Sequence, residues 1–480
     1  MRARYNCMNH SAKLILVLTS VLLGSVCHAA ARSVQDVTST SAKLVMREPP
    51  DCGSGAYMHF EYAPSTAALE AGSGQATAEV HIGQNASGCG DASPGIDLDV
   101  RGLSPDTTYY YRQCGRGKTA RVNTCTSARQ FTTRETAGSM QRIRARDGDL
   151  YRKGERFHVF GVQNLDHDFE RSFYTRGSPA DRAKMTDKVK AARTLGANTM
   201  RIHLQLFDFI GRDTNGRLFV RQASFDNLAF LLHAAEREGL YLLVSGNNVW
   251  FEGAAPKWYD EMPYRERWEV QAFFFEQLAA AGASSPNILA YELMSEPTLR
   301  LDDDADWYTG ELGGYRFAQV IARGISRDQA AQVARDWINR LTSAIREHDA
   351  DHLITFGALG RFYGGALGIQ NTAPLLDFLS PHIYPDQGDP EFAIRSARRF
   401  ALSGKPVVIG ETHLFRSNAR MFREFVIASA PLVDGYISFF NGVSPDDMII
   451  DASDPHALEL TVHRQNLETL QNLRAVILDK

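Results

Sequence analysis

Residues 289–297 read L-A-Y-E-L-M-S-E-P, an apolar run of strand length that ends on a carboxylate, Glu296, and a proline. A second run at 406–411, P-V-V-I-G-E, also ends on a glutamate, Glu411. Parallel strands in a (β/α)8 barrel are apolar because both of their faces are covered, and their C-terminal ends project side chains into the mouth where chemistry is done. Two strands that each deliver a carboxylate to one mouth suit cleavage of a glycosidic bond.

Working outward, further strand-length runs lie at 157–164 (F-H-V-F-G-V-Q-N), 198–204, 240–246, 352–357, 377–382 and 433–440. With 289–295 and 406–411 they make eight. Helical periodicity separates them: Met185, Val189, Ala192 and Leu195 stopped at Gly196; Phe225, Leu228, Leu232 and Ala235; Val333, Trp337, Leu341 and Ile345; and an amphipathic stretch at 455–478. Strand and helix alternating eight times predict an α/β fold, a (β/α)8 TIM barrel over 141–480, rather than an open sheet. A hairpin turning at Lys153-Gly154 leads into its first strand. No internal repeat or low-complexity tract interrupts the pattern.

Before the barrel the pattern changes. Residues 33–134 are rich in Gly, Ser and Thr, with short alternating runs such as Y-M-H-F-E-Y at 57–62 and I-D-L-D-V at 96–100. Period-two alternation between turn clusters predicts half-buried antiparallel strands and an all-β sandwich. G-L-S-P-D-T-T-Y-Y-Y-R at 102–112 and F-T-T at 131–133 resemble the turn into the sixth strand and the closing strand of a fibronectin type III domain. That resemblance gives Tyr109 a structural role, a hydrogen bond back to the main chain at a corner. Strand alternation puts Tyr110 on the opposite face from Tyr109 and Tyr111, which argues against a flat sugar platform. Residues 135–140 are short, polar and unpatterned, and read as the linker.

Residues 1–31 have the organisation of a secretion signal: Arg2, Arg4 and Lys13, an apolar stretch at 14–26, and Ala29-Ala30-Ala31 as an A-x-A cleavage site. A secreted or periplasmic product follows, with no membrane partner once the signal is removed. Cys7 and Cys27 leave with it. Cys52, Cys89, Cys114 and Cys125 remain, all in the first third, and an oxidising destination predicts two disulfides. Cys114 with Cys125 and Cys52 with Cys89 is the favoured pairing among three. A formal net charge of −4 over 480 residues, with 44% hydrophobic and 22% charged, describes a globular protein and argues against nucleic acid as partner.

At its strand ends the chain resembles clan A glycoside hydrolases, most of all family 5, the cellulases and mannanases. M-S-E-P is similar to that family's N-E-P at the end of strand four, which implies Glu296 as acid/base. I-G-E at the end of strand seven implies Glu411 as nucleophile. L-S-P-H-I-Y-P matches the strand-six pattern with its substrate-site His382 and Tyr384, and M-R-I-H-L the strand-two arginine, Arg201, which would hold the nucleophile ionised. Three departures stand out. Ser295 replaces the asparagine that hydrogen-bonds the sugar 2-hydroxyl, which makes Asn247 and Asn248 at the end of strand three candidate substitutes. Strand three ends V-S-G-N-N without a histidine. Strand eight ends S-F-F-N, putting Phe439 and Phe440 near the usual tryptophan platform, with Phe440 as the expected substrate contact. Trp250, with Phe251, Trp258, Trp307 and Tyr308, lies in the loops after strands three and four, where such rings serve either as sugar-stacking subsites or in ordinary packing.

The charged run Asp302, Asp303, Asp304 reads as a solvated loop, its spacing not being that of a calcium loop. Asp166, His167 and Asp168 sit in the mouth without a second metal-ligand motif in the sequence. No cofactor or metal is implied. The expected activity is retaining hydrolysis of a β-linked poly- or oligosaccharide; a catalytically impaired carbohydrate-binding barrel and a transglycosylase are the alternatives.

Overall fold

The computed structural model describes residues 34–35, 40–46, 56–82, 96–104, 107–117, 124–133 and 140–478, except 165, 252, 304, 313–314, 362–363, 444, 446–447, 449 and 451–456. The expected signal at 1–31, Cys52, Cys89 and most of the linker lie outside the described residues.

Eight parallel strands close into a barrel: Val159–Asn164, Thr199–Gln205, Tyr241–Asn248, Ile288–Ser295, Leu353–Leu359, Ser380–His382, Val408–Thr412 and Gly435–Phe440. They are called strands one to eight below. Seven match the expected runs to within two residues at almost every end. Strand six is shorter, beginning at Ser380 instead of 377, because Asp377 turns its carboxylate to the Ile354 amide (2.7 Å) and Arg346 (3.0 Å), and only Leu379 bridges strand seven before Ser380.

Side chains alternate between two cores. Those facing the barrel axis near the strand starts, among them Val159, Leu243, Leu289, Leu353, Val408 and Ile437, pack with Ile143, Leu150 and Phe157. The last three come from the segment before strand one, which folds as a three-stranded antiparallel sheet, Arg144–Arg146, Asp149–Arg152 and Glu155–Arg156, and plugs the barrel floor. The expected turn at Lys153-Gly154 is there, and a further one at Asp147-Gly148; all four residues have left-handed φ. Side chains facing outward meet the helices, including Pro179–Thr194, Gln222–Arg237 and Arg327–Arg346, through Met185, Val189, Leu228, Leu232, Trp337 and Leu341. Removing water from these stripes drives the closure.

An unexpected hairpin, Tyr308–Leu312 with Tyr315–Ala322, follows strand four. It takes Trp307 (5% exposed) and Tyr308 (8%) out of solvent. Trp307 has the guanidiniums of Arg267 and Arg323 over its ring at 3.8 and 4.2 Å and donates to Asp260 O, so with Tyr308 also buried neither ring is an open sugar platform.

Residues before the barrel form antiparallel strands in two sheets. Tyr109, Tyr111 and Phe131 pack inward with Phe60 and Leu44, while Tyr110 is half-buried, as alternation predicts. Tyr109 Oη accepts a hydrogen bond from the Ser104 amide at 2.9 Å, and Cys114 is disulfide-bonded to Cys125. These sheets touch the barrel where Arg101 and Lys43 meet Asp226, and where Gln222 donates to Asp99. Among the described residues no helix is long and apolar enough to cross a membrane.

Candidate active site

Strand two brings Arg201 into the barrel axis, fully buried. A guanidinium so placed requires partners for its charge and donors. Its Nη1 donates to Glu411 Oε1 and to Gln163 Oε1, both at 2.5 Å, and its Nη2 to Glu292 Oε1 at 2.5 Å and Ser295 Oγ at 3.2 Å. Strands one, four and seven thereby converge on one side chain.

Strand six supplies His382, and strand five makes room for it. A Cβ at Gly357 would stand 2.6 Å from His382 Nε2, so no other residue fits that position without displacement. His382 Nδ1 lies 2.9 Å from Glu296 Oε1 and 3.4 Å from Glu411 Oε2. Tyr384 donates its hydroxyl to Glu411 Oε2 at 2.5 Å. Both Glu411 oxygens are therefore held, one by Arg201 and one by Tyr384. Atoms of Glu296, His382 and Glu411 lie within 4.8 Å of one another.

Burial pushes the Glu411 carboxyl up, but the charges of His382 and Arg201, with the Tyr384 hydrogen bond, overcome it and bring it down to about 2. Burial works against a charged His382, and the Glu411 and Glu296 carboxylates outweigh it, raising its pKa. Burial and the Glu411 carboxylate push the Tyr384 phenol well up, so Tyr384 stays a donor. At neutral pH the site holds an ionised Glu411 beside Glu296.

Glu296 has φ +52, in the left-handed region that residues other than glycine seldom occupy. Its amide donates to Gly357 O at 2.8 Å, which holds the turn. Backbone held in a sparsely populated region is characteristic of functional sites.

Arg201, Ser295, Glu296, His382, Tyr384 and Glu411 come together as expected. Four other expected contacts do not. Phe440 is fully buried in the outer core against the helices, because alternation from the inward Ile437 sends it outward. Phe439 faces the mouth instead, its ring 6.3 Å from Tyr384 and nearly parallel to it. Trp250 is 7% exposed and packs on His167 and His203 rather than opening to solvent. Asn247 and Asn248 are fully buried, their amides donating to Leu293 O and Ser245 O, so each is engaged with the main chain of the barrel instead of standing open in the mouth.

Two features escaped the sequence reading. Glu292, fully buried, is the second partner of Arg201; a carboxylate inside an otherwise apolar strand was its signal, since glutamate is almost never fully buried without one. Phe415, beyond strand seven, is 56% exposed, stacks on Tyr384 at 6.1 Å, meets Phe439 at a tilt at 5.2 Å, and offers the open ring that Phe440 does not.

Residues 153–424 match the family model described as Cellulase (glycosyl hydrolase family 5). A protein of Oryza sativa subsp. japonica named as a mannan endo-1,4-beta-mannosidase is 21% identical over 271 residues, which cover 49% of this chain and 60% of the relative. The β-mannanase structure of the blue mussel Mytilus edulis superposes with a TM-score of 0.50 at 16% identity, covering 70% of this chain and 97% of that one, a likeness of fold.

Proposed function

The chain belongs to the cellulase family, glycosyl hydrolase family 5, and is a glycoside hydrolase; from that premise we propose that it is an exported retaining β-glycosidase. Its substrate is a β-linked polysaccharide or the derived oligosaccharides, with β-mannan and β-glucan foremost. The name of the rice relative puts mannan first.

One observation carries the retaining reading: an oxygen of Glu296 and one of Glu411 stand within 4.8 Å of each other. Double displacement needs the two carboxyls about 5–5.5 Å apart, whereas inversion needs about 6.5–9.5 Å to admit a water. In this reading Glu411 attacks the anomeric carbon while Glu296 gives its proton to the leaving oxygen. Glu296 then takes a proton from water as that water displaces Glu411. Arg201 and Tyr384 fix the two Glu411 oxygens, so the attacking lone pair is oriented before substrate arrives. His382, within reach of both carboxylates, positions Glu296.

We assign residues 1–31 to an export signal and 33–134 to a fibronectin type III-like module joined through 135–140; the Tyr109 bond to Ser104 supports the module. The test is reducing-end release from mannan, glucan and xylan polymers, with NMR of the first product anomer. Release with retained configuration is expected. Inverted product would overturn the double displacement, and release from none would favour a carbohydrate-binding barrel.

A further inference from the structure

A second group of titratable side chains lies beside the glutamate pair, where strand two ends and the helix His167–Thr175 begins. His167 and Glu170, three residues apart, share one helical face, and His203 reaches them from strand two. His167 Nδ1 is 3.3 Å and His203 Nδ1 3.8 Å from the same oxygen, Glu170 Oε2, and one ligand atom from each residue falls within 4.8 Å of the others. Glu170 is 2% exposed and His203 1%. Glu170 Oε1 and both ring nitrogens of His203 have no hydrogen-bond partner among the described residues.

A buried carboxylate with one long hydrogen bond needs a compensating charge. Lys188 does not supply it by contact, because its amine goes to Asn164 Oδ1, Asn441 O and Asp166. Nor does His203, neither of whose ring nitrogens makes a hydrogen bond to the carboxylate. At 3.8 Å it is also too far from Glu170 for a hydrogen bond. Two imidazoles and a carboxylate are a zinc-type donor set. Bonds of about 2.0–2.2 Å at tetrahedral angles put ligand atoms roughly 3.3–3.6 Å apart, and the two separations from Glu170 Oε2 sit near that span.

We propose that His167, Glu170 and His203 bind a divalent transition cation of the zinc class, with the remaining position open to water. The cation clips the helix after strand one to the end of strand two, behind Trp250. It takes no part in glycoside cleavage, and the proposal does not depend on the hydrolytic reading.

The experiment strips the full chain with chelator and titrates it with Zn2+ alone, following heat of binding and unfolding temperature. One equivalent bound and a raised Tm are expected. Glu170→Gln and His167→Gln should each lose the bound equivalent and the Tm shift; His167→Gln, at a partly exposed site, serves if Glu170→Gln does not fold. Co2+ in place of Zn2+ should give the visible absorption of a four-coordinate site in wild type only. Absence of stoichiometric binding to wild type, or unchanged binding in the variants, would overturn the site.

Discussion

Glu292 and Glu411, on strands four and seven, share one guanidinium: Arg201 donates to each at 2.5 Å. Arg201, which with His382 keeps Glu411 ionised, is thus anchored from the other side by a carboxylate that never meets solvent. In the double displacement proposed above, the nucleophile is positioned by a chain of charges that begins in the strand carrying the acid.

Glu292→Ala should destabilise the barrel by about 3–5 kcal/mol, since removing one partner of a buried ion pair leaves the other charge undercompensated. Glu292→Gln keeps an acceptor for Arg201 and should lose less. Urea unfolding midpoints read both variants. Equal midpoints for wild type and Glu292→Ala would mean that Gln163, Ser295 and Glu411 suffice to hold Arg201.

The two glutamates should fail differently. Glu411→Gln abolishes turnover, and Glu411→Gly recovers part of it with azide, giving a product of inverted configuration. Glu296→Ala keeps activity on aryl glycosides with good leaving groups, which need no proton. Near-normal polymer cleavage by either variant would sink the assignment.

Ser295 Oγ accepts from Arg201, which leaves its own hydrogen free to donate to a sugar hydroxyl. Ser295→Ala should therefore lower kcat/KM by a factor equivalent to about 0.5–1.5 kcal/mol, the range for a hydrogen bond between neutral groups. Asn247→Gly, which suits the left-handed φ of +56, should affect stability rather than kcat/KM, because the Asn247 amide serves Leu293 O. The reverse pattern of losses would place the sugar contact on Asn247.

Asp226, facing the first sheets, is pushed up to about 7 by burial and by Asp99. A carboxyl whose folded pKa exceeds its unfolded value keeps its proton when the unfolded chain has lost it, so its contribution to stability falls as pH rises from about 3.8 to 7. Asp226→Asn removes that dependence. The difference in unfolding midpoint between wild type and Asp226→Asn should move in favour of the variant between about pH 4.5 and 8. A constant difference would show that Asp226 holds no extra proton at this contact.

Eight strand runs, the helical stripes between them and the two strand-end glutamates were legible in the chain itself, because burial on both faces and one-sided burial leave periods that residue order must carry. The same periodicity placed Tyr110 opposite Tyr109 and Tyr111. It could not say which of Phe439 and Phe440 faces the mouth, since that depends on the register of strand eight in the closed barrel. Nor could it join Glu170 to His203, or Glu292 to Arg201, residues far apart in sequence that meet only when strands and helices pack. The sharpest case is strand four. Strict alternation from the inward Glu292 would turn Met294 inward and Ser295 out, yet Met294 lies in the outer core and Ser295 meets Arg201. The pairing with strand five slips between Glu292 and Ser295, a bulge that inserts one residue and reverses the faces. Composition decided that strand four would be buried and end in a carboxylate; its pairing with strand five decided which of its last side chains reach the arginine.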